Sequence, residues 1–402
     1  MSVQPKVIFI IHQIGSGADG GIRSISEIIS AGRDMAGLIV TNIESPVTDK
    51  LKTLAPTAIW EMGEESYNRR GNKIVYRFNQ VYQRLANNWR MYKTIRSTGA
   101  NILHANDHRA FWNTAFGARM AGAKVILNVR DTMREGAKTV WLWRKALDLC
   151  DCFLVLSQEM VDYWVRDLKP ASDKPANRAK FAYIYSIVDQ KIFHPVDAAA
   201  RTALRGEFGV DESRPALVYV GRFDDKKAQL DFIRGSVARL KQLKPEAITY
   251  FVGDFEPDKD PYAADCLKAV QELGLEDNVR FAGYSPRVAD WYRAADIVLL
   301  ASRREGLPRC MLESLGCGAA FVSLDVSSVR EILEGHDCGV VIGGRDYDKM
   351  ADEIVALIND PDRMRAYQER GPRVVDQLFV GEVNIEQYRT LATRLLTDGV
   401  PS

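Results

Sequence analysis

The first half of the chain alternates short apolar runs with longer amphipathic stretches. Residues 22–33 have the periodicity of a helix, and the apolar runs, each as long as a buried strand, are KVIFIIH, GLIVTN, NILHAN, KVILNV, CFLVLS and FAYIYS. Strands that alternate with helices form a parallel sheet covered on both faces. This half therefore predicts one α/β domain.

The same alternation restarts after His194 and Pro195. The apolar runs that follow are ALVYVG, AITYFVG, NVRFAG, DIVLLAS, AAFVSL and CGVVIG, with helical stretches between them. Residues 187–195 and the polar segment 197–215 interrupt the strand pattern, as a domain boundary does. A second α/β domain is therefore predicted.

The predicted architecture is two Rossmann-like, doubly wound parallel-sheet domains. We assign residues 1–190 and 191–375 to them, and 376–402 to a helical segment that packs against them or crosses back to the first. Doubly wound sheets bind ligands at the carboxyl ends of their strands, so two such domains facing each other form a cleft. We expect the functional residues in strand-to-helix loops.

One candidate loop follows the run DIVLLAS and reads SRREGLPRCMLESLGCG. It turns at Gly306 and predicts a helix from Pro308, because proline suits the first helical position. The N–H groups at such a start favour an anion, and Glu305 and Glu313 can accept hydrogen bonds from sugar or ribose hydroxyls. A Glu-x7-Glu spacing alone is more often two solvated glutamates, but the strand before it and the Gly-Leu-Pro turn favour a ligand site.

A second loop follows the run ALVYVG. Arg222 comes directly after this strand and Lys227 five residues later, just before a helix. Arginine can bind a diphosphate with two parallel N–H donors and lysine with its single ammonium group, so both side chains can contact it. Lys226 competes with Lys227 for this role, and a solvated charge run is the alternative for 224–227.

The two loops together resemble glycosyltransferase family 4. The motifs V-G-R-(x)4-K-A-Q and E-G-L-P-(x)4-E are typical of this retaining, nucleotide-sugar-dependent group, whose two-domain fold is called GT-B. The resemblance implies that Arg222 and Lys227 bind the donor pyrophosphate, that Glu305 contacts the transferred sugar and that Glu313 binds the ribose. It assigns further donor contacts to Gly306, Leu307, Pro308 and Arg309, and places Gly283 and Tyr284 near the base.

The implied reaction moves a hexose-type sugar from a UDP- or GDP-sugar to a glycan or lipid-linked acceptor in cell-surface polysaccharide or glycolipid synthesis. The resemblance implies retention of configuration and no required metal or other cofactor. The alternatives are a GT-B epimerase or phosphorylase, although no pyridoxal-binding lysine is identifiable, and a non-catalytic sugar-binding protein.

A glycine-rich turn near the N-terminus adds a candidate of another class. Residues 15–20 satisfy G-x-G-x-x-G, the fingerprint of NAD(P)-dependent oxidoreductases. Gln13 and Ile14 separate its first glycine from the strand, and Glu44 is distant for a ribose-binding acid, so the match is weak. The resemblance instead has Gly20 and Gly21 facing the donor.

The acceptor side departs from the family pattern. Many members have a histidine after the strand that corresponds to KVILNV, whereas this chain has Arg130 and Asp131. Either Arg130 binds an anionic group of a substrate or Asp131 supplies the polar contact. His104, near the end of the run NILHAN, and Asp107, directly after it, are secondary candidates, and a lone histidine there is more often structural.

Composition and motif content argue against several classes of protein. A net charge of +1 argues against nucleic-acid binding, and the six cysteines contain no C-x-x-C pair of a zinc site. Residues 258–260 read D-K-D, which a solvated turn explains better than a metal site. The N-terminus lacks a signal-peptide pattern and no apolar run approaches the ~20 residues of a membrane span, so we expect a cytoplasmic protein.

A local basic surface is predicted between Tyr67 and Arg96. From Arg69 to Arg96 the segment has eight Arg and Lys, interleaved with aromatics, and no Asp or Glu. Such a surface suits an anionic membrane leaflet, with residues 138–145 as an extension, and would make the enzyme peripheral on the cytoplasmic membrane. The alternative is a solvated helix whose aromatics face the core.

Overall fold

The structure is a computed structural model that describes residues 4–13, 20–62, 73–133 and 139–397, with the backbone alone for 20 and 73–77. The chain divides into two compact units. One comprises Met1–Ile187 with Gly381–Ser402, and the other comprises Val188–Val380.

The first unit has alternating strands and helices. Its elements up to residue 187 are β1 (Val7–Ile11), α1 (Gly20–Ala31), β2 (Ala36–Thr41), α2 (Pro46–Lys52), β3 (Thr57–Ile59), α3 (Lys73–Thr98), β4 (Ile102–Ala105), α4 (His108–Met120), β5 (Lys124–Asn128), α5 (Val140–Leu149), β6 (Cys152–Val155), α6 (Gln158–Asp167), a 3₁₀ turn (Ala171–Asp173), α7 (Pro175–Arg178) and β7 (Phe181–Tyr183).

These strands form one parallel sheet in the order β3-β2-β1-β4-β5-β6-β7. All five residues of β1 are buried, since a strand covered by helices on both faces has no solvent-facing side. Against the sheet, α4 packs on α3 at Gly117, where a Cβ would lie 1.8 Å from the carbonyl oxygen of Asn88. Only glycine permits this approach of the two helices.

The second unit repeats the alternation. Its elements are α8 (Ala198–Glu207), β8 (Ala216–Val220), α9 (Gln229–Phe232), a π-helical turn (Ile233–Val237), α10 (Ala238–Leu243), β9 (Ile248–Val252), α11 (Pro261–Glu272), β10 (Val279–Gly283), α12 (Val288–Ala294), β11 (Ile297–Leu300), α13 (Arg309–Gly316), β12 (Ala320–Leu324), α14 (Val329–Leu333), β13 (Val340–Ile342), α15 (Tyr347–Ile358) and α16 (Pro361–Leu378).

The second sheet is also parallel, in the order β10-β9-β8-β11-β12-β13. Apolar residues of its strands form a core with the flanking helices that includes Leu217, Phe251, Leu299 and Met350. The prediction of two doubly wound, Rossmann-like domains is confirmed.

The last helix, α17 (Gly381–Thr397), belongs to the first unit. It packs on α1, and its residues Ile385, Tyr388 and Leu395 join a core that contains Phe9 and Ile29. The first unit is therefore built from two separate stretches of the chain.

Candidate functional site

The two predicted donor loops lie side by side in the second unit. They follow β8 and β11, which are neighbours in the sheet although two strands, β9 and β10, lie between them along the chain. At this point the strand order reverses direction, and doubly wound sheets bind ligands in the crevice formed there. Adjacent parallel strands end at the same edge, so their loops meet.

The side chains of Lys227 and Glu305 join these loops. Lys227 Nζ lies 2.7 Å from Glu305 Oε1, and Lys226 Nζ lies 3.7 Å from Glu305 Oε2. Burial disfavours charge on both partners, but the attraction between them outweighs it. The pKa of Lys227 lies above its ordinary value, and the pKa of Glu305, which Lys226 also lowers, lies below its own. Both groups are therefore ionised at neutral pH.

Hydrogen bonds to backbone groups fix the two loops to each other. The hydroxyl of Tyr219, on β8, donates to the carbonyl of Lys227 and accepts from the N–H of Ala301, at distances of 2.5 and 3.0 Å. The N–H of Arg303 donates to the carbonyl of Lys226 at 2.7 Å. Ala228 then begins α9 from a left-handed conformation, φ 56°. These hydrogen bonds hold together the two loops that carry the ion pair.

Arg222 occupies a different position from Lys227. Its side chain is 81% exposed, and its nearest ionic partner is Asp224 at 3.8 Å. The structure therefore brings Lys227 and Glu305 together but leaves Arg222 at the surface of the same loop. Of the two adjacent lysines, Lys227 is the one closer to Glu305.

The helix predicted to start at Pro308 starts one residue later. Pro308 is the N-cap of α13, with φ −65° and ψ 112°, and Arg309 is its first residue. Proline's extended ψ here makes it the flanking residue rather than the first helical one, a correction of one position. The carbonyl of Gly306 accepts a 2.7 Å hydrogen bond from Ser328, and Leu307 is buried.

Glu313 lies buried on α13. Arg309 Nε donates to its Oε1 at 3.1 Å, and the Tyr292 hydroxyl lies 3.5 Å from its Oε2. The carboxylate is thus oriented by a guanidinium one turn before it. Acceptor capacity remains on its oxygens, because an ionised carboxylate has about four lone-pair sites.

The residues expected near the base lie at the end of β10. Gly283 has φ 72°, which favours glycine, and Tyr284 is 69% exposed. In the sheet, β9 separates β10 from β8. The described contacts do not bring Tyr284 against Lys227 or Glu305.

The first unit has its own point of strand reversal, between β1 and β4. His12 directly follows β1, and its Nδ1 lies 3.5 Å from Asp107 Oδ2. Asp107 also caps α4 by accepting from the N–H of Ala110 at 2.7 Å. His12 was not among the predicted site residues; its place directly after the first strand was the available signal. Gly20 and Gly21 begin α1, and residues 15–19 of the glycine-rich turn lie outside the described residues.

The other acceptor-side candidates divide into partly buried and fully buried positions. Arg130 Nη2 lies 3.5 Å from the Ser186 hydroxyl, and Asp131 accepts from the N–H of Thr132 at 2.9 Å. His104 is fully buried, hydrogen-bonded to Tyr388 at 2.9 Å and to Asn128 at 3.1 Å.

Burial, with a smaller effect from the charge of Arg130, lowers the pKa of His104 to about 3. The ring is therefore neutral. Its Nε2 accepts from the amide nitrogen of Asn128, which can only donate, so its Nδ1–H donates to Tyr388. Both ring nitrogens of His104 are thus occupied by hydrogen bonds within the first unit.

Within the described residues, no group of three or more His, Cys, Asp or Glu is arranged to hold a metal ion. In the D-K-D triplet, Asp260 caps α11 by accepting from the N–H of Tyr262, and Lys259 pairs with Glu256 at 3.0 Å. In the same part of the chain, no helix has the length and apolar character needed to cross a membrane.

The helix α3 carries an exposed apolar stripe, which we call the α3 surface. The exposed fractions of its residues are 77% for Phe78, 56% for Val81, 65% for Tyr82, 68% for Leu85 and 55% for Trp89. Their spacing of three or four residues places them on one face of the helix. Exposed cations beside them are Arg84, Arg90 and Lys93. These aromatics do not face the core. Residues 67–72 and 138 of the predicted basic surface lie outside the described residues.

Comparisons with known proteins point to one group. The family model described as Glycosyltransferase Family 4 matches residues 53–189, and the one described as Glycosyl transferases group 1 matches residues 200–374. Both donor loops lie in the second match.

Two curated relatives illustrate the range of the group. N-acetyl-alpha-D-glucosaminyl L-malate synthase of Bacillus anthracis is 25% identical over 64% of this chain and 63% of its own length. Lipopolysaccharide core biosynthesis mannosyltransferase LpsB of Rhizobium meliloti is 27% identical over 46% of this chain and 52% of its own length. The matches thus span between half and two thirds of these relatives.

A solved structure is similar over almost the whole chain. The crystal structure of Anabaena Alr3699/HepE in complex with UDP has a TM-score of 0.79 and 18% identity, and the match covers 96% of this chain and 100% of that one. At this identity the likeness establishes the fold.

Proposed function

The chain belongs to glycosyltransferase family 4 and has the GT-B fold, and on this premise we propose that it is a retaining sugar transferase. It moves a hexose-type sugar from a UDP- or GDP-sugar to a glycan or lipid-linked acceptor. The observation that carries the proposal is the ion pair between Lys227, whose side chain is 21% exposed, and the buried Glu305, 2.7 Å apart at the strand reversal of the second sheet.

The charges at this site suit a departing diphosphate. In the reaction the bond between the sugar's anomeric carbon and the phosphate oxygen breaks, a bond to the acceptor oxygen forms, and the proton of the acceptor hydroxyl passes to the departing diphosphate. Negative charge grows on the diphosphate, and Lys227, held in place by Glu305, stabilises it. Arg222, exposed on the same loop, folds onto the diphosphate when the donor binds. Preorganised charges of this kind supply a large share of catalytic rate enhancement.

The carboxylates bind the neutral parts of the donor. Glu305 is ionised, and its carboxylate accepts hydrogen bonds from hydroxyls of the transferred sugar. Glu313, oriented by Arg309, accepts from the ribose hydroxyls. The N–H groups at the start of α13 contact phosphate and sugar, and Tyr284 lies against the base.

Nucleotide binding tests the donor proposal. We expect UDP or GDP, and neither ADP nor NAD(P), to raise the thermal unfolding temperature. Lys227→Ala should abolish sugar transfer and weaken binding of the nucleoside diphosphate. Lys268→Ala is the control, because Lys268 is an exposed lysine on α11 that pairs with Glu272. Unchanged kinetics in Lys227→Ala would contradict the proposal, and stabilisation by NAD(P) alone would favour the oxidoreductase alternative.

The acceptor proposal rests on the end of β5. Arg130 replaces the histidine typical of the family and lies beside Ser186 at 3.5 Å. We propose that its guanidinium binds a carboxylate or phosphate of the acceptor, since arginine binds such groups in a bidentate manner. The name of the Bacillus anthracis relative includes a dicarboxylate, L-malate, which supports an anionic group on that side.

The α3 surface supports a membrane-bound acceptor. An exposed apolar stripe flanked by cations fits the boundary between headgroups and acyl chains of an anionic leaflet. The segment 69–96 contains no acidic residue that would oppose this contact. We therefore propose that α3 docks on the inner face of the cytoplasmic membrane, and that the acceptor is lipid-linked, as in lipopolysaccharide assembly.

Vesicle cosedimentation tests this docking. The variant Arg84→Glu/Arg90→Glu/Lys93→Glu should lose binding to vesicles of phosphatidylcholine and phosphatidylglycerol, while Leu85→Ser/Trp89→Ser should weaken it without changing the charge. The matched control is Lys241→Glu/Lys268→Glu/Arg365→Glu, which makes the same charge change at exposed positions of the second unit. Cosedimentation of the α3 charge variant at the wild-type level would refute the docking.

A further inference from the structure

The loop after β12 contains a backbone conformation that residues other than glycine rarely adopt. Ser328 has φ 70°, in the left-handed region, and is completely buried at the N-cap of α14. A side chain in this region costs folding free energy, and such residues concentrate at functional sites. The Glu-Gly-Leu-Pro motif does not include Ser328, and the sequence pattern gave no reason to single it out.

The hydroxyl of Ser328 connects this loop to the proposed donor loop. Its Oγ donates to the carbonyl oxygen of Gly306 at 2.7 Å. A trans peptide is planar, and its C=O and N–H point in opposite directions. A carbonyl of Gly306 held towards Ser328 therefore turns the N–H of Leu307 away from Ser328.

The loop after β8 also contains a buried residue other than glycine with a positive φ. Ala228, directly after Lys227, is completely buried with φ 56°. In the described part of the chain, three residues other than glycine have a positive φ, and Ala228 and Ser328 are two of them. Ala228 lies in one loop that is proposed to bind the diphosphate, and Ser328 contacts the other. The strained backbone is thus concentrated where phosphate contacts are expected.

We propose that Ser328 is a positioning residue of the donor site. Its hydroxyl fixes the peptide between Gly306 and Leu307 so that the N–H of Leu307 donates to the second phosphate of the nucleotide, the one bonded to the sugar. Ser328 itself does not touch the donor. This inference rests on the proposed function, because it requires a nucleoside diphosphate at these loops.

Two variants separate the hydroxyl from the backbone conformation. Ser328→Ala removes the hydroxyl and keeps a Cβ at positive φ, whereas Ser328→Gly removes the hydroxyl and also relieves the strain. Calorimetric titration measures the affinity for UDP or GDP, whichever the wild type binds, and for the matching monophosphate. Both variants should lose about tenfold in diphosphate affinity, the effect of one hydrogen bond to a charged oxygen, and less than about twofold in monophosphate affinity.

Ser236→Ala is the matched control. Ser236 is also completely buried, and its Oγ donates to a backbone carbonyl, that of Tyr347, at 2.7 Å. This variant should keep the diphosphate affinity of the wild type even where its thermal stability falls. A loss of diphosphate affinity equal to that of Ser328→Ala would overturn the proposal.

The other outcomes are equally decisive. Wild-type diphosphate affinity in Ser328→Ala would overturn the positioning role and leave the donor proposal intact. Restored affinity in Ser328→Gly would assign the effect to the backbone conformation and overturn the role of the hydroxyl. Equal losses for mono- and diphosphate would indicate a general structural role. A wild-type chain that binds neither UDP nor GDP would overturn the donor proposal, and the role of Ser328 with it.

Discussion

Removing the positive charge of Lys227 should destabilise the second unit in the absence of any ligand. Lys227→Met keeps most of the apolar stem and deletes the ammonium group, which leaves the buried carboxylate of Glu305 without its 2.7 Å partner and with Lys226 at 3.7 Å. The loss of one partner from a buried ion pair is costly because the other charge remains desolvated.

The size of the effect follows from the geometry. Two unit charges 2.7 Å apart attract by about 6 kcal/mol at an effective dielectric constant of 20. Desolvation of both groups offsets roughly half of this, and breaking such a pair typically costs 3–5 kcal/mol. Because Lys226 compensates in part, we expect about 3 kcal/mol, which corresponds to a fall in Tm of roughly 6–12 °C for a domain of about 150–250 residues.

A double-mutant cycle measures the pair itself. Thermal unfolding at pH 7.5 without nucleotide should show Lys227→Met and Glu305→Gln each strongly destabilised, and the double variant less so than the sum of the two. Lys268→Met, at the exposed pair with Glu272, should shift Tm by about 1 °C or less. The folded-state pKa of Glu305 is lowered, so its contribution is present above the unfolded pKa and disappears as the pH falls through the folded value.

The reasoning would be refuted by a Lys227→Met variant that unfolds within about 2 °C of the wild type and a coupling energy below about 0.5 kcal/mol. The ion pair would then be solvated, and the preorganisation on which the proposed catalysis depends would be absent.

Three further predictions concern the first unit. Arg130→Ala should raise the KM for an anionic acceptor by about tenfold or more and leave the donor KM unchanged, whereas an equal rise in both would place Arg130 on the donor side. Tyr388→Phe should cost about 1–2 kcal/mol in chemical denaturation, since it removes the partner of the His104 Nδ1–H. The pKa of His104 is about 3 in the folded protein and ordinary in the unfolded chain, so the free energy of unfolding should fall by ~1.4 kcal/mol per pH unit as the pH drops from about 6.5 towards 3. His104→Gln should flatten that slope. Parallel pH profiles of the variant and the wild type would show that His104 titrates normally.

The sequence was sufficient to predict two doubly wound parallel sheets and two loops at strand ends that contact the same diphosphate. Buried parallel strands appear as continuous apolar runs, and their carboxyl ends share one edge of the sheet. Lys227 and Glu305 were found because each lies in the loop after such a run, within a recognisable motif. The choice between Lys226 and Lys227 needed coordinates, because adjacent residues of a loop point in different directions.

Other features had no local signal. Ser328 stands next to another serine, and the sequence does not encode which of them adopts a positive φ. His104 looked like a candidate because it lies near the end of a strand, but its partner Tyr388 lies on α17, so its burial depends on a contact distant in the sequence. The aromatics of α3 had two explanations that composition could not separate. Their exposure depends on which face of the helix α4 covers.

The placement of α17 has a consequence for how the protein is made. Translation releases the sheet of the first unit long before it releases residues 381–397, so until then Phe9 and Ile29 lack the cover that Ile385 and Tyr388 later provide. The nascent chain must carry an incomplete domain while the entire second unit is synthesised. A nascent chain on a ribosome stalled near residue 380 should therefore expose apolar surface and bind chaperones. A chain truncated at that residue should aggregate.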